Sequence, residues 1–286
     1  MDGVSAGTPA KINLFLYVLG KRPDGYHDIL TLMQKVSLYD TVGLSVADGE
    51  GIDIRVTGGA GDVPSDGSNT ACAAARLFLT HKNIQGKRVR IAIEKRIPSR
   101  AGMGGASSDA ACVLKLLNGL LPAYRADELS ALSGRIGSDV PFFMMDGSGV
   151  ASGRGDVVTR AEIVDRLHYV VIKPGFGIST SRAYARLEQS TKPLTKQVLP
   201  SMCDLTRYTK GDIERCLHND LETVAEEHTP EITMMKERLL STGAKAAAMT
   251  GSGSCVFGIF YDEKQAQEAF DKLSRAYATV FKVTGI

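Results

Sequence analysis

One stretch restricts the fold of this chain more than any other: Pro98-Ser-Arg-Ala-Gly-Met-Gly-Gly-Ala-Ser-Ser-Asp-Ala-Ala111. Ahead of it, Val89, Ile91 and Ile93 alternate with Arg90, Ala92 and Glu94, the two-residue period of a half-buried strand. Behind it, Ala110, Leu114, Leu117 and Leu121 recur at helical spacing. Gly102, Gly104 and Gly105 therefore fall in a strand-to-helix turn. Glycine reaches positive φ, and its missing Cβ lets a ligand touch the main chain. Successive amides at a helix N-terminus attract an anion, and the helix dipole adds to the effect. Ser107 and Ser108 place hydroxyls in the first turn, able to cap the helix, hold a phosphate or ligate a magnesium ion. A plain strand–helix turn without a ligand is the other reading of the same residues. The stretch is no GxxxxGK[ST] loop, and Gly102-Met-Gly104-Gly105 breaks the GxGxxG spacing of dinucleotide folds.

Glycine is abundant throughout, 30 of 286 residues, against a usual share of about 7%. The excess means either many tight turns or loops that approach something closely. A net charge of +2 argues against a protein that binds nucleic acid by bulk charge, while leaving room for one anionic pocket. The length suits one large domain or two smaller ones. No apolar run approaches 18 residues, so no membrane helix is expected. The first residues lack the basic start of a secretory signal and the Arg/Ser-rich character of a transit peptide. Cys72, Cys112, Cys203, Cys216 and Cys255 are scattered without a CxxC, which fits free buried thiols in a reducing cytoplasm. The five histidines form no ligand spacing, so no dedicated transition-metal site is expected.

The pattern predicts strands at 10–19, 29–38, two within 41–57, 89–94, and several short ones from Val140 to Val158. Later strands are expected at 168–173, 245–249, 255–261 and 278–283. Helices are expected at 69–81 with Asn69 as its cap, from the glycine loop to Leu121, and at 127–135. Further helices are expected at 180–189, 211–227, 230–241 and 263–276, with a surface loop at Thr191–Pro200. Strands and helices mix without regular βαβ alternation, which favours α+β. A change of register near Arg160 divides the chain into segments 1–158 and 159–286.

Three further segments carry chemistry-bearing residues. Lys11, in Thr8-Pro-Ala-Lys-Ile-Asn13, lies inside an apolar strand, where a charge is costly unless paired or facing a cleft. Asp139 directly precedes an apolar run. An exposed strand start accounts for either residue equally well. Thr250-Gly-Ser-Gly-Ser254 joins two apolar strands, as a hairpin turn or as a second amide cluster closing over phosphates.

Together these segments resemble, in order, the three motifs of the GHMP kinase superfamily: a Pro-Ala-Lys strand, a central Gly/Ser phosphate loop and a C-terminal Gly-rich loop. Pro9-Ala-Lys-Ile-Asn-Leu-Phe-Leu16, Arg22-Pro-Asp-Gly-Tyr-His27, Gly137-Ser-Asp-Val-Pro141 and Asn219-Asp-Leu-Glu222 are similar, more narrowly, to one branch. In that branch the acceptor is 4-diphosphocytidyl-2-C-methyl-D-erythritol. Asp24-Gly25-Tyr26-His27 discriminates best, since it is no general feature of the superfamily.

The resemblance implies an N-terminal domain like the second domain of a small-subunit ribosomal protein and a ferredoxin-like C-terminal domain. It implies a kinase using ATP and Mg²⁺ on a small cytidine diphosphate-linked alcohol, without nucleic-acid or membrane partners, as a monomer or homodimer. Asp139 would be the general base, with Lys11 beside it keeping the carboxylate ionised. Gly102, Met103, Gly104, Gly105, Ala106, Ser107 and Ser108 would receive the phosphates, with Asn69 and Lys95 near the adenine. Asn13, Tyr26, His27, Thr180, Tyr184, Gly251 and Ser252 would serve the acceptor: His27 at a cytosine edge, Tyr26 and Tyr184 as ring faces. Arg100 and Ala101 replace two early glycines of the family loop, Ala106 replaces its last, and Thr250 stands for a frequent Ser. A homoserine or mevalonate kinase, or a non-catalytic nucleotide-binding module on the same fold, are the competing readings.

Overall fold

A computed structural model describes residues 3–59, 63–189 and 206–286. Thr191–Pro200, expected to be a loop, lies outside the described residues. The chain divides into two compact units. The first is built from Met1–Ala10, Leu38–Ser99 and Gly104–Asp146, the second from Lys11–Ser37, Arg100–Met103 and Gly147–Ile286. Strands β1 (Val4–Lys21) and β2 (His27–Asp48) run through both. The runs expected at 29–38 and 41–48 are thus one continuous strand.

In the first unit, β3 (Gly51–Gly58), α1 (Thr70–His81) and β4 (Lys87–Lys95) form a βαβ unit, β3 lying parallel to β4. The far side of β4 pairs antiparallel with β2, from Thr41 opposite Glu94 to Asp48 opposite Lys87. Asn69 caps α1 as expected, its Oδ1 accepting the Ala71 N–H at 2.9 Å, a bond worth about 1 kcal/mol. Helix α2 (Gly105–Leu120) buries Ala110–Leu114 and Leu117 and packs on the buried Ala71, Ala74, Ala75 and Phe78 face of α1. Two short helices follow, α3 (Ala126–Ser133) and α4 (Val140–Met144). Val140 was expected to open a strand. It opens α4 instead, because Pro141 supplies a helical φ where no N–H is needed and Val140, Phe142 and Phe143 bury against neighbouring helices.

In the second unit, β5 (Ser148–Ser152) pairs with β2 and with β6 (Val157–Ile163). Strand β7 (His168–Ile172) leads to α5 (Thr180–Gln189), and β8 (Arg207–Tyr208) lies parallel on β6. The helix expected at 211–227 is interrupted: α6 (Lys210–Cys216) stops, β9 (His218–Asn219) pairs with Phe15 and Leu16 of β1, and α7 (Asp220–His228) begins. The apolar spacing there suits a helix, but a partner strand some 200 positions away in sequence claims the backbone. Helix α8 (Pro230–Ser241), β10 (Ala246–Met249), β11 (Val256–Phe260), α9 (Glu263–Leu273) and β12 (Val280–Thr284) complete the unit.

Strands β10-β11-β7-β12 form an antiparallel sheet. Val170, Ile172, Val256 and Phe260 pack with Met235 and Leu239 of α8 and Ala266, Ala269 and Leu273 of α9. On the opposite face Tyr169 meets Phe257 edge-on at 5.9 Å and bonds the Gln34 side chain. Both faces are covered, so these central strands read as unbroken apolar runs rather than alternating ones.

Candidate active site

The Gly-Ser turn between β10 and β11 is folded onto residues 100–103 of the glycine loop. Gly102 has φ +74°, and a Cβ there would overlap the Thr250 carbonyl oxygen and stand 2.8 Å from its carbon. Only glycine permits this approach. Lys11 is buried, and its ammonium donates to Asn13 Oδ1 at 2.5 Å and to the Gly102 carbonyl at 2.9 Å. Asn13 in turn receives positioning from both sides: its N–H donates to Thr250 Oγ1 at 3.0 Å and its Nδ2 to Thr31 Oγ1 at 2.8 Å. Asn219 clamps the turn from beneath, Nδ2 donating to the carbonyls of Met249 at 2.7 Å and Gly251 at 2.8 Å. Lys11, Asn13, Gly102 and Thr250, separated by up to 239 positions, thus form one hydrogen-bonded cluster, and Asn219 holds Gly251 beside it.

Arg100 occupies a position where the resembled loop has glycine, and its φ is +48°, the left-handed region a glycine would have entered freely. Holding a non-glycine there costs about 1 kcal/mol. Ala106 carries no such strain, since α2 has already begun at Gly105.

Gly104, with φ +73°, precedes α2, and no side chain caps that helix end. The Ser108 N–H is already bonded to the Gly104 carbonyl at 2.9 Å, so the amides of Gly104–Ser107 are those with no carbonyl one turn back. Ala106 is exposed and Gly104, Gly105 and Ser107 are half-buried. This end therefore suits an anion. Met103 is 1% exposed and offers only its main chain. Ser108 is fully buried: its hydroxyl donates to the Pro9 carbonyl at 2.6 Å and meets the Thr8 hydroxyl, tying α2 to β1. These two bonds anchor the start of the helix.

Lys95 is also buried, at 5% exposure, and its ammonium donates to Asp109 Oδ2 at 2.7 Å and to Asp40 Oδ2. Asp40 Oδ1 accepts the N–H groups of Arg96 at 2.6 Å and Ile97 at 2.8 Å. Burial raises the Asp109 carboxyl to about 7, against the pull of the Lys95 ammonium and helped by the Asp40 charge. Burial lowers Lys95, but the two carboxylates outweigh it and hold the ammonium above its ordinary value. Asn69 spends its side chain on Ala71 N–H and, at 2.7 Å, the Pro64 carbonyl. Asp139 stands at the start of α4 with φ −81° and ψ −11°.

His27 stacks on Tyr184 at 4.8 Å and 23°, its Nε2 lying 3.2 Å from Glu188 Oε1. Burial keeps the imidazole below the usual histidine value, outweighing the Glu188 carboxylate. Tyr26 is 53% exposed, with the Arg154 guanidinium 5.0 Å over its ring. The ring that Tyr184 faces is thus His27, while Tyr26 pairs with an arginine. Thr180 Oγ1 lies 2.9 Å from Ser252 Oγ, which joins α5 to the Gly-Ser turn.

Family models for the GHMP kinases N terminal domain and the GHMP kinases C terminal match residues 69–147 and 209–279. A 4-diphosphocytidyl-2-C-methyl-D-erythritol kinase of Syntrophotalea carbinolica is 41% identical over 267 residues, 93% of this chain and 92% of the relative. The chain belongs to the 4-diphosphocytidyl-2-C-methyl-D-erythritol kinase family of the GHMP kinases. A crystal structure of 4-(cytidine 5'-diphospho)-2C-methyl-D-erythritol kinase is 32% identical and superposes with a TM-score of 0.78, covering 99% of each chain. Homoserine kinase from Cytophaga hutchinsonii is 17% identical with a TM-score of 0.73, covering 100% of this chain and 95% of that one, a likeness of fold alone. The α+β GHMP kinase fold expected from the motifs is the fold observed.

Motif reading in this GHMP kinase passed over Asp40, Asp109, Thr31 and Asn219. A signal existed for Asp40: a carboxylate inside the apolar β2 run is as costly as Lys11 unless paired. Asn219 stood in a segment that was matched without a role. Nothing local marks Thr31 or Asp109, whose importance comes from distant partners.

Proposed function

We propose that this chain transfers the terminal phosphoryl group of ATP to the 2-hydroxyl of 4-diphosphocytidyl-2-C-methyl-D-erythritol, in the non-mevalonate route to isoprenoid precursors. The observation that carries the reading is the 41% identity over 93% of the chain to a kinase so named. The acceptor hydroxyl is a poor nucleophile at neutral pH. Asp139 takes its proton as the oxygen attacks phosphorus, and ADP leaves. Lys11, oriented by Asn13, steadies charge at that oxygen.

Phosphoryl transfer through a loose transition state demands positioning and neutralisation more than covalent help. The uncapped end of α2 fits that demand, and the amides of Gly102–Ser107 would hold the nucleotide phosphates. Mg²⁺ bound with ATP would spread the phosphate charge, and it needs few protein ligands. Among the described residues no group of three or more His, Cys, Asp and Glu forms a ready cage, so phosphate and water would dominate its shell. Asn69 and Lys95 border the adenine, while His27, Tyr26, Tyr184, Thr180, Gly251 and Ser252 serve the cytidyl diphosphate side. The sequence segments 1–158 and 159–286, whose division differs from that of the two compact units, would work together in a cytoplasmic monomer or homodimer. The buried free thiols suit a reducing compartment: burial pushes Cys112 up to about 11 and Cys255 up to about 12.

Coupled ADP release with purified protein and candidate alcohols tests the reading. Turnover with the cytidyl alcohol supports it, and phosphorylation of homoserine or mevalonate alone overturns it.

A further inference from the structure

A buried ionic triad sits directly under the proposed phosphate site. Asp109 is 3% exposed and belongs to the second turn of α2. Its Oδ2 takes a bond from Lys95, but its buried Oδ1 has no partner among the described residues. Asp40 reaches the same ammonium from β2 and, through its other oxygen, grips the backbone that leaves β4. Gly105 rests on this ammonium: a Cβ there would come 3.2 Å from Lys95 Nζ and 3.0 Å from Ile97 Cγ2. One cation therefore joins β2, β4 and the first residue of α2.

Such an arrangement is a poor way to gain stability. A buried carboxylate oxygen without a donor is costly, and an apolar trio of similar volume would do at least as well. What an ionic triad supplies is a defined distance and direction. We propose that Asp109 and Asp40 are positioning residues that hold Lys95 against Gly105 and thereby set the amide spacing that receives the ATP phosphates. The proposal rests on the reading that ATP binds at the N-terminus of α2. Full grip requires ionised Asp109, because a charge-assisted bond to an ammonium is about twice as strong as a neutral one. The groups facing Asp109 are Lys95 from β4, Asp40 from β2 and Cys112 on α2 itself. Lys95 is held above its ordinary value and Cys112 is pushed up to about 11, leaving Asp109, at about 7, to change charge near neutrality.

Calorimetric titration with a magnesium complex of a non-hydrolysable ATP analogue, at pH 8 and pH 6, tests this. Wild-type affinity should fall by about fivefold on acidification, the fold-change matching a partly weakened charged bond. Asp109→Asn should bind at the weaker value with a smaller dependence on pH, and so calibrate the titration of the ligand's own phosphates. Affinity for the cytidyl alcohol should be the same in both proteins. Melting midpoints provide the sign check. Folding raises the Asp109 value above 3.8, so its stabilising contribution is lost as pH rises through about 7, and wild type should fall relative to Asp109→Asn over that range. If Asp109→Asn melts below the assay temperature, Asp109→Leu, which leaves Lys95 and Asp40 as a neutral pair, takes its place with the same expectation. Wild type that binds the analogue, with a variant that binds equally well at pH 8, overturns the positioning role alone. A shift in melting midpoint with unchanged nucleotide affinity does the same. Wild type that binds no nucleotide sinks both this role and the kinase reading.

Discussion

Gly102→Ala separates the cost of close backbone approach from the cost of a left-handed conformation. Gly102 and Gly147 have nearly the same φ, +74° and +75°, and both belong to the second unit. Around Gly147 nothing lies within 4 Å of a built Cβ, whereas at Gly102 that atom overlaps the Thr250 carbonyl and stands 3.2 Å from Gly253 N. Gly147→Ala should therefore lose only the conformational term, about 1 kcal/mol. Gly102→Ala adds overpacking, typically ~1–3 kcal/mol, for a total of about 2–4 kcal/mol. Urea unfolding of the two variants beside wild type measures both. The overlap must also push the Gly-Ser turn off the loop, lengthening the bonds from Lys11 to the Gly102 carbonyl and from the Asn13 N–H to Thr250 Oγ1. Turnover should fall in Gly102→Ala and stay near wild type in Gly147→Ala. Equal destabilisation of the two variants, or full activity in Gly102→Ala, would refute the claim that this approach organises the site.

Asp139→Asn should lower turnover by roughly 10²-fold or more with nucleotide affinity nearly intact, as loss of a general base requires; steady-state kinetics with a binding titration would reveal near-normal turnover and so remove it from that role. His27→Ala should raise KM for the cytidyl alcohol by about tenfold, the scale of one lost hydrogen bond, with kcat little changed. An unchanged KM would move recognition elsewhere. Asn219→Ala removes the clamp on the Met249 and Gly251 carbonyls and the cap of α7, and should cost about 2–4 kcal/mol in urea unfolding. A loss below about 1 kcal/mol would show that the turn holds without it.

Local chemistry made much of this protein legible. Asn69 capping α1, the alternating β4, the glycine-led α2 and the amphipathic α9 all follow from contacts within a few residues, and all formed as expected. The motif order was enough to indicate the family. The local pattern misled where a distant partner competed for the same backbone: His218 and Asn219 leave a helical pattern to pair with β1, and a proline converts an apolar run at 140 into α4. The site shows the same division. That Lys11 is a costly charge in an apolar strand is readable from the residues alone. Which groups offset that cost is not, because Asn13 and the Gly102 carbonyl reach Lys11, and separately Asp40 and Asp109 reach Lys95, only when the chain packs. Short-range propensity is encoded residue by residue, whereas burial and pairing depend on the whole chain closing around them. The sequence alone therefore determined the motifs, their order and the main elements. Tertiary structure decided that Gly102 must be glycine for the sake of Thr250, and that Lys95 serves two buried carboxylates.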